Sequence, residues 1–282
     1  MKTGLVLEGG AMRGMFTCGI IDTFINNDIK FDGVVGVSAG AIFGVNYPSK
    51  QAGRVISYNL EYIKDKRYMG LGSLIKTGDL INKDFAYYTV PLEYYPFDFE
   101  TYHNSGIPFY ACVTNMETGQ PEYYQINDFD FGMEVLRASA SMPFVTRPVM
   151  LNGKPCLDGG VADSIPFRFM LDKGYDRLVV VLTRDIDYVK SPMPPLPINL
   201  KYRKYPAFAE RLINRHIEYN ESIAQLKELE KEGKVFIIRP SVPLGIGRTE
   251  RNIEKMKATY NRGLTDGAAI LEQMKAFMAS EG

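Results

Sequence analysis

A serine between two glycines carries the clearest chemical signal in the chain. The segment Gly36-Val37-Ser38-Ala39-Gly40 is a G-x-S-x-G sequence that follows an apolar run and precedes a run of small apolar residues. A sharp turn from strand to helix would present the serine hydroxyl above a sheet, and Gly36 and Gly40 would let neighbouring backbone approach. The pattern predicts a nucleophilic serine, although a glycine-rich turn with an N-cap serine would give the same five residues.

A second glycine-rich loop, Gly9–Gly14, lies between an apolar run at 5–7 and a helical pattern at 14–25. Free backbone N–H groups at such a place can bind a phosphate or the oxyanion of an acyl-transfer intermediate. A dinucleotide site would require a glycine where Ala11 stands and a carboxylate at the end of the next strand. That strand ends in Gly36-Val37-Ser38 instead, so the sequence favours an oxyanion hole over a nucleotide site.

A nucleophilic serine needs a base, which is commonly a histidine, and the chain contains only two histidines. His216 falls on the apolar edge of a predicted helix and is expected to pack there. His103 lies in a polar turn and is expected to be exposed. A carboxylate remains: Asp158, followed by Gly159 and Gly160, which would let it point into a crowded site, although Asp-Gly-Gly alone is commonly just a turn.

Three further expectations concern residues near these motifs. Arg13 could clamp a substrate phosphate, but we expect it to pair with a carboxylate and fix its own loop. Asp163 is expected to cap the helix that begins near Pro166. The aromatic-rich stretch 58–102 could form a cap or channel wall over the site, and we favour ordinary core for it.

The sequence also predicts the strands and helices that must position these residues. The first fifty residues are predicted as strand–loop–helix–strand–loop–helix, which implies parallel strands joined by crossovers. Proline excludes helix and strand from 191–197, which is the best internal boundary. The remaining predicted elements are a hairpin of 107–113 with 122–126, a helix at 131–142, a strand at 177–183, a helix at 207–232, a strand at 235–239 and a helix at 250–278.

Composition narrows the class of protein. The 282 residues are 45% hydrophobic and 23% charged, as in an ordinary globular protein. Lys plus Arg and Asp plus Glu are both 33, so no basic excess suggests a nucleic-acid partner. Three scattered cysteines and two histidines predict neither disulfides nor a metal site. No apolar run approaches the roughly 18 residues of a membrane span, and we expect a soluble cytoplasmic protein.

Taken together, GGAMRG at Gly9–Gly14, GVSAG at Gly36–Gly40 and DGG at Asp158–Gly160 resemble the patatin-like phospholipase family in order and spacing. The small-residue segment Arg137–Pro143 is similar to the one that precedes the aspartate loop in that family. The resemblance covers about residues 4–185 and is closest to bacterial members with a C-terminal extension. Ala11 departs from the pattern, because many members have glycine there.

The resemblance implies a three-layer α/β/α fold with a mostly parallel central sheet, divided into a core of residues 1–190 and a mainly helical extension of residues 191–282. It implies a Ser38–Asp158 dyad without histidine and without cofactor or metal. It further implies an oxyanion hole in the first glycine-rich loop, with Gly10, Ala11 and Met12 as the preferred donors among Gly9, Gly10, Ala11, Met12, Arg13 and Gly14.

The function implied is a serine lipid acyl hydrolase, of the phospholipase A or lysophospholipase type, acting on lipid or acyl-ester substrates. Transient contact with a membrane surface, and hence a peripheral location, is compatible with that activity. A serine acyltransferase and a phosphate- or nucleotide-binding module without hydrolase activity are the alternatives. The sequence does not fix the oligomeric state, the acyl chain or the head group.

Overall fold

One central sheet organises the molecule. The structure, a computed structural model, describes residues 1–280. Its eight strands lie in the order β5-β6-β3-β2-β1-β7-β8, and β4 pairs with β3 off this path. The strands are β1 (Thr3–Leu7), β2 (Gly33–Val37), β3 (Phe109–Asn115), β4 (Pro121–Gln125), β5 (Val149–Leu151), β6 (Lys154–Asp158), β7 (Arg177–Val181) and β8 (Val235–Ile238).

The middle of the sheet is parallel, as the alternating strand–helix order predicts. β1 pairs in parallel with β2 and β7, β2 pairs with β3, and β7 pairs with β8. Only the pairs β3–β4, β3–β6 and β5–β6 are antiparallel in the described chain. Ligands bind at the carboxyl ends of parallel strands, and the loops after β1 and β2 both leave the sheet at that edge.

Ten α-helices and a π-helical segment (Phe85–Tyr94) surround the sheet within residues 1–280. No helix in this part of the chain is both long and apolar enough to cross a bilayer. The helices are α1 (Gly14–Asn26), α2 (Ala39–Gly44), α3 (Arg54–Tyr62), α4 (Leu71–Thr77), α5 (Phe99–Asn104), α6 (Phe129–Ser139), α7 (Phe167–Asp172), α8 (Pro195–Lys201), α9 (Pro206–Lys231) and α10 (Ile253–Ala279).

Each strand of the parallel centre is buried on both faces, which explains its continuous apolar sequence. Successive side chains point to opposite faces. Leu5 and Leu7 pack with residues of α1, α6 and α10, whereas Val6 packs with residues of α7 and α9. The result is the three-layer α/β/α sandwich expected from the sequence.

The region after residue 190 contributes helices to both outer layers and a strand to the sheet. It adds β8 beside β7, places α9 on one face and places α10 against α1 on the other. The division at residue 190 stays a prediction, and residues 281 and 282 of the expected extension lie outside the described part. The loop predicted over 191–197 is wrong from Pro195 onward, because α8 begins there with proline in its first turn, where no N–H is needed.

Two glycines allow α1 and α10 to touch backbone to backbone. A Cβ on Gly263 of α10 would lie 2.2 Å from the carbonyl oxygen of Phe16, and one on Gly19 of α1 would lie 2.3 Å from that of Tyr260. Neither helix could keep its present position with a larger residue at the contact.

We therefore predict opposite effects of the same substitution in two helices. Gly263→Ala should lower the free energy of unfolding by about 1–3 kcal/mol because the helices must separate. Gly72→Ala, in α4, meets nothing within 4 Å and should be neutral or stabilising by up to about 1 kcal/mol through helix propensity. Denaturant unfolding of both variants measures the difference, and equal stability of the two would contradict the close contact.

Candidate active site

Ser38 lies at the turn between β2 and α2, at the carboxyl edge of the sheet. Its φ is 54° and its ψ is −122°, a conformation that a non-glycine residue rarely adopts and that is typical of functional sites. A Cβ on Gly36 would lie 2.4 Å from the carbonyl oxygen of Gly40, and one on Gly40 would lie 2.4 Å from that of Leu7. Both elbow glycines are thus required by the close approach of backbone around the serine.

The Ser38 hydroxyl donates a 2.7 Å hydrogen bond to Oδ2 of Asp158, across 120 residues of sequence. Both residues are buried. The other carboxylate oxygen, Oδ1, accepts the N–H of Gly160 at 2.8 Å, which fixes the rotation of the carboxyl group. The structure thus brings together the two side chains on which the sequence analysis depends, while their catalytic roles stay a prediction.

Burial raises the pKa of Asp158 above the ordinary 3.8. The hydrogen bond from Ser38, the positive charges of Arg215 and Arg248 and the N–H of Gly160 oppose that rise, but burial is the largest cause. A carboxylate with a raised pKa is a stronger base for an alcohol than an exposed aspartate would be.

Ser139, in the last turn of α6, binds the backbone of the turn that contains Ser38. Its hydroxyl accepts the N–H of Ser38 at 2.9 Å and donates to the carbonyl oxygen of Cys112 at 2.6 Å. The sequence analysis placed Ser139 in the family-like segment Arg137–Pro143 but missed this role, because only the packing of α6 against β3 and α2 reveals it.

The first glycine-rich loop offers fewer free donors than expected. The N–H of Met12 binds the carbonyl oxygen of Arg248 at 3.4 Å, and the N–H of Arg13 binds that of Gly10 at 3.2 Å. The N–H of Gly14 caps the short helical turn that precedes it. In this conformation the carbonyl of Arg248 engages the N–H of Met12, and the helical turn engages the N–H groups of Arg13 and Gly14. Their role as oxyanion donors stays a prediction.

The first half of the loop keeps its donors. Within residues 1–280, the N–H groups of Gly9, Gly10 and Ala11 have no hydrogen-bond acceptor. A Cβ on Gly9 would lie 3.1 Å from the Cβ of Ser38, so this part of the loop lies directly against the serine. The N–H of Ala39 likewise has no acceptor in the described chain. As the residue after the serine, Ala39 is a candidate donor that the sequence analysis missed.

Ala11, where many family members have glycine, adopts a left-handed backbone with φ of 48°. Alanine pays a steric cost in that region that glycine does not. The departure from the family pattern thus leaves the loop conformation and its N–H group in place.

A buried carboxylate fixes the start of the same loop. Glu8 accepts hydrogen bonds from the N–H and hydroxyl of Thr183, at 2.5 and 3.0 Å, and from the hydroxyl of Tyr219 at 2.8 Å. Because Tyr219 belongs to α9, the helix from the C-terminal region holds the loop beside Ser38. The sequence alone gives no signal for this contact between residues 8 and 219.

An apolar cavity of about 140 Å³ opens on Ser38. Most of the side chains around it are aliphatic or aromatic. The prediction that the aromatic-rich stretch is ordinary core is wrong for its six aromatic residues that line this cavity, because the π-helical segment and α5 lie over the carboxyl edge of the sheet. Those six residues are Tyr58, Tyr68, Tyr87, Phe97, Phe99 and Tyr102.

Two of the other expectations are also wrong. Arg13 is buried and forms no ion pair among the described residues, and its Nε has no hydrogen-bond partner there. Asp163 does not cap a helix: α7 begins later, at Phe167, and the Asp163 carboxylate instead accepts the hydroxyl of Tyr123 at 2.7 Å. Its other oxygen accepts the N–H of Ile165 at 3.1 Å, within a turn that precedes the helix.

Neither histidine contacts the serine or the aspartate. His216 is half-buried on α9, where its Nδ1 lies 3.0 Å from the carbonyl oxygen of Ile213. His103 is exposed at the far end of the apolar cavity. Both positions agree with the sequence analysis.

The family model described as patatin-like phospholipase matches residues 5–171, and the chain belongs to that family. A second model, described as a domain of unknown function (DUF6363), matches residues 205–279. The first match contains the serine, the aspartate and both glycine-rich segments.

Among curated proteins, the chain is similar to the uncharacterized protein YjjU of Escherichia coli, with 30% identity over 64% of this chain and 52% of YjjU. It is also similar to lysophospholipase nte1 of Aspergillus fumigatus, with 26% identity over 97% of this chain and 18% of nte1. The chain thus spans about half the length of YjjU and about a fifth of nte1. The crystal structure of VipD from Legionella pneumophila aligns with a TM-score of 0.47 and 14% identity, over 96% of this chain and 67% of VipD.

The buried bonds of Ser139 yield a prediction on stability. Ser139→Ala removes the acceptor of the Ser38 N–H and the donor to Cys112, and should lower the free energy of unfolding by about 1–3 kcal/mol. Ser57→Ala removes only an exposed bond to a helix carbonyl and should change it by less than about 0.5 kcal/mol. Chemical denaturation compares the two, and an equally stable Ser139→Ala would exclude a supporting role for its hydroxyl.

Proposed function

We propose that the protein is a serine hydrolase of lipid carboxylic esters, with Ser38 as nucleophile and Asp158 as base. The observation that carries the proposal is the 2.7 Å hydrogen bond from the Ser38 hydroxyl to Asp158 at the mouth of an apolar cavity. Membership of the patatin-like phospholipase family and similarity to proteins named lysophospholipase support it.

The reaction begins when Ser38 Oγ attacks the ester carbonyl carbon and its proton passes to Oδ2 of Asp158. The tetrahedral intermediate then breaks its bond to the leaving oxygen, and Asp158 returns the proton to the departing alcohol. An acyl group now remains on Ser38. Asp158 accepts a proton from water, the resulting hydroxide attacks the acyl carbonyl, and Ser38 Oγ leaves and regains its proton.

The carbonyl oxygen gains negative charge in both tetrahedral intermediates and needs donors that are already in place. The free N–H groups of Gly9, Gly10 and Ala11, with that of Ala39, lie on the two backbone segments that flank the serine. Loss of a single donor of this kind typically costs about 2.7–4 kcal/mol of transition-state stabilisation.

The apolar cavity suits the acyl chain of the substrate. Its walls remove hydrocarbon from water, at roughly 25 cal/mol for each Å² of apolar surface. Because Ser38 and Ala39 line the cavity together with Phe43 and Phe99, an acyl chain that fills it places its ester beside the hydroxyl.

The first prediction from this mechanism concerns the dyad. Ser38→Ala removes the nucleophile, and Asp158→Asn removes the proton acceptor while keeping the shape of the side chain. Each should lower kcat for a fatty-acyl ester by more than about 100-fold. Steady-state hydrolysis of a p-nitrophenyl ester measures the loss.

The histidines supply the matched control. His103→Ala and His216→Ala should keep most of the wild-type kcat, because neither ring touches the serine or the aspartate. A histidine variant as inactive as Ser38→Ala would mean that a Ser-His pair, and not the Ser-Asp dyad, performs the reaction.

The raised pKa of Asp158 predicts the acid side of the pH profile. Asp158 accepts a proton only when ionised, so activity is lost as pH falls through its pKa, and burial shifts that pKa upward from 3.8. The acid limb of kcat/KM should therefore lie above that ordinary value of 3.8. An acid limb that disappears in His103→Ala or His216→Ala would assign the titration to a different group.

A further inference from the structure

A second cavity, of about 190 Å³, is unusually rich in cationic side chains. Lys190, Arg215 and Arg248 line it, together with Tyr188, Ser191 and His216. All of these residues follow residue 171, so they lie outside the match to the patatin-like phospholipase model. The sequence analysis assigned no chemistry to this part of the chain.

The three cations have no carboxylate partner among residues 1–280, since no ion pair there includes Lys190, Arg215 or Arg248. The two buried carboxylates in the neighbourhood are engaged elsewhere. Glu8 accepts from Thr183 and Tyr219, and Asp158 accepts from Ser38 and Gly160. Like charges repel one another, and Glu8 and Asp158 offset that repulsion without forming a direct ion pair with any of the three cations. An anion bound among the cations would pair with them directly.

Two of the three cationic side chains, those of Arg215 and Lys190, are partly buried and held by neighbouring groups, whereas Arg248 is exposed. The guanidinium of Arg215 lies 3.3 Å from the hydroxyl of Ser164. The Lys190 ammonium lies 4.1 Å from the centre of the Tyr219 ring, and the backbone of Lys190 is bonded at both its N–H and its carbonyl by Asn220. Burial, together with the charges of Arg215, Arg248 and Arg13, lowers the pKa of Lys190 to about 7.

This cavity adjoins the dyad. A Cβ on Gly160 would lie 3.0 Å from Oδ1 of Asp158 and 3.1 Å from Nη2 of Arg215, so the arginine flanks the aspartate loop. Arg248 lines both the cationic and the apolar cavity, and its carbonyl oxygen holds the N–H of Met12 in the glycine-rich loop. The apolar cavity therefore opens on Ser38, and the cationic cavity lies beside the loop that follows Asp158 and shares Arg248 with the apolar cavity.

We propose that Lys190, Arg215 and Arg248 form a phosphate subsite, which holds the phosphate of a lipid substrate while its acyl chain occupies the apolar cavity and Ser38 attacks the ester between them. This inference rests on the proposed function. Guanidinium groups bind phosphate oxygens through paired N–H donors, and an ammonium adds a point charge. A phosphate would also give the three cations the direct ion-pair partner that they lack among residues 1–280.

The test uses two esters that differ only in the phosphate, octanoyl glycerol phosphate and octanoyl glycerol. The wild-type protein should hydrolyse the phosphorylated ester with a kcat/KM at least about 10-fold higher, which is the size expected for charge-assisted hydrogen bonds. Arg215→Gln and Lys190→Gln should bring that ratio close to one, mainly through a higher KM for the phosphorylated ester.

Matched controls are available in the same region. Arg203→Gln and Lys201→Gln change exposed residues of the same types outside the cavity and should leave the ratio at its wild-type value. If Arg215→Gln or Lys190→Gln fails to fold, the wild-type ratio still decides, because a ratio of one overturns the proposal without any variant.

Inorganic phosphate separates a lipid head group from a free anion. Under the proposal it competes with octanoyl glycerol phosphate. If inorganic phosphate binds through Arg215 while the two esters are hydrolysed equally, the cavity is a site for free phosphate and the proposal is wrong. A failure of the proposed function gives a different result, because hydrolysis of both esters would then be absent or would persist in Ser38→Ala. Either result would also overturn the subsite proposal.

Discussion

The hydrogen bond between Ser38 and Asp158 is the interaction on which the rest of the site depends. It joins the end of β2 to the end of β6, two strands that do not pair with each other. β3 lies between them, and Val113 of β3 pairs with Asp158. The sheet must therefore keep its order and register for the hydroxyl and the carboxylate to meet, and burial at that meeting point sets the protonation behaviour of the aspartate.

The parts of the site that are local in sequence could be predicted from it. Residues 36 and 40 must be glycine, because a Cβ at either position would lie 2.4 Å from a backbone carbonyl oxygen. This steric requirement appears in the sequence as a glycine two residues before and two residues after the serine. The parallel centre of the sheet is predictable for the same reason, because β1, β2 and β7 are buried on both faces and have continuous apolar sequences. The contact of Ser38 with Asp158 is not local, and it was predictable only because the resemblance to the patatin-like phospholipase family implies it.

What depends on packing between distant elements could not be predicted. Glu8 looks like the end of a strand, and only the position of α9 shows that Tyr219 binds it. The sequence also gives no sign that three N–H groups of the glycine-rich loop are engaged, those of Arg13 and Gly14 by a short helical turn and that of Met12 by the carbonyl of Arg248. Arg215 is one of many charged residues on a polar helix, and its place beside the aspartate loop arises from the docking of α9.

Covalent labelling tests the central claim most directly. An alkyl fluorophosphonate reacts with a serine only when a base and an oxyanion site activate it. Mass spectrometry of the labelled protein should find one adduct, on the peptide that contains Ser38, and the adduct should form far more slowly in Asp158→Asn. An unlabelled Ser38 in the folded wild-type protein, or unchanged labelling in Asp158→Asn, would contradict the account.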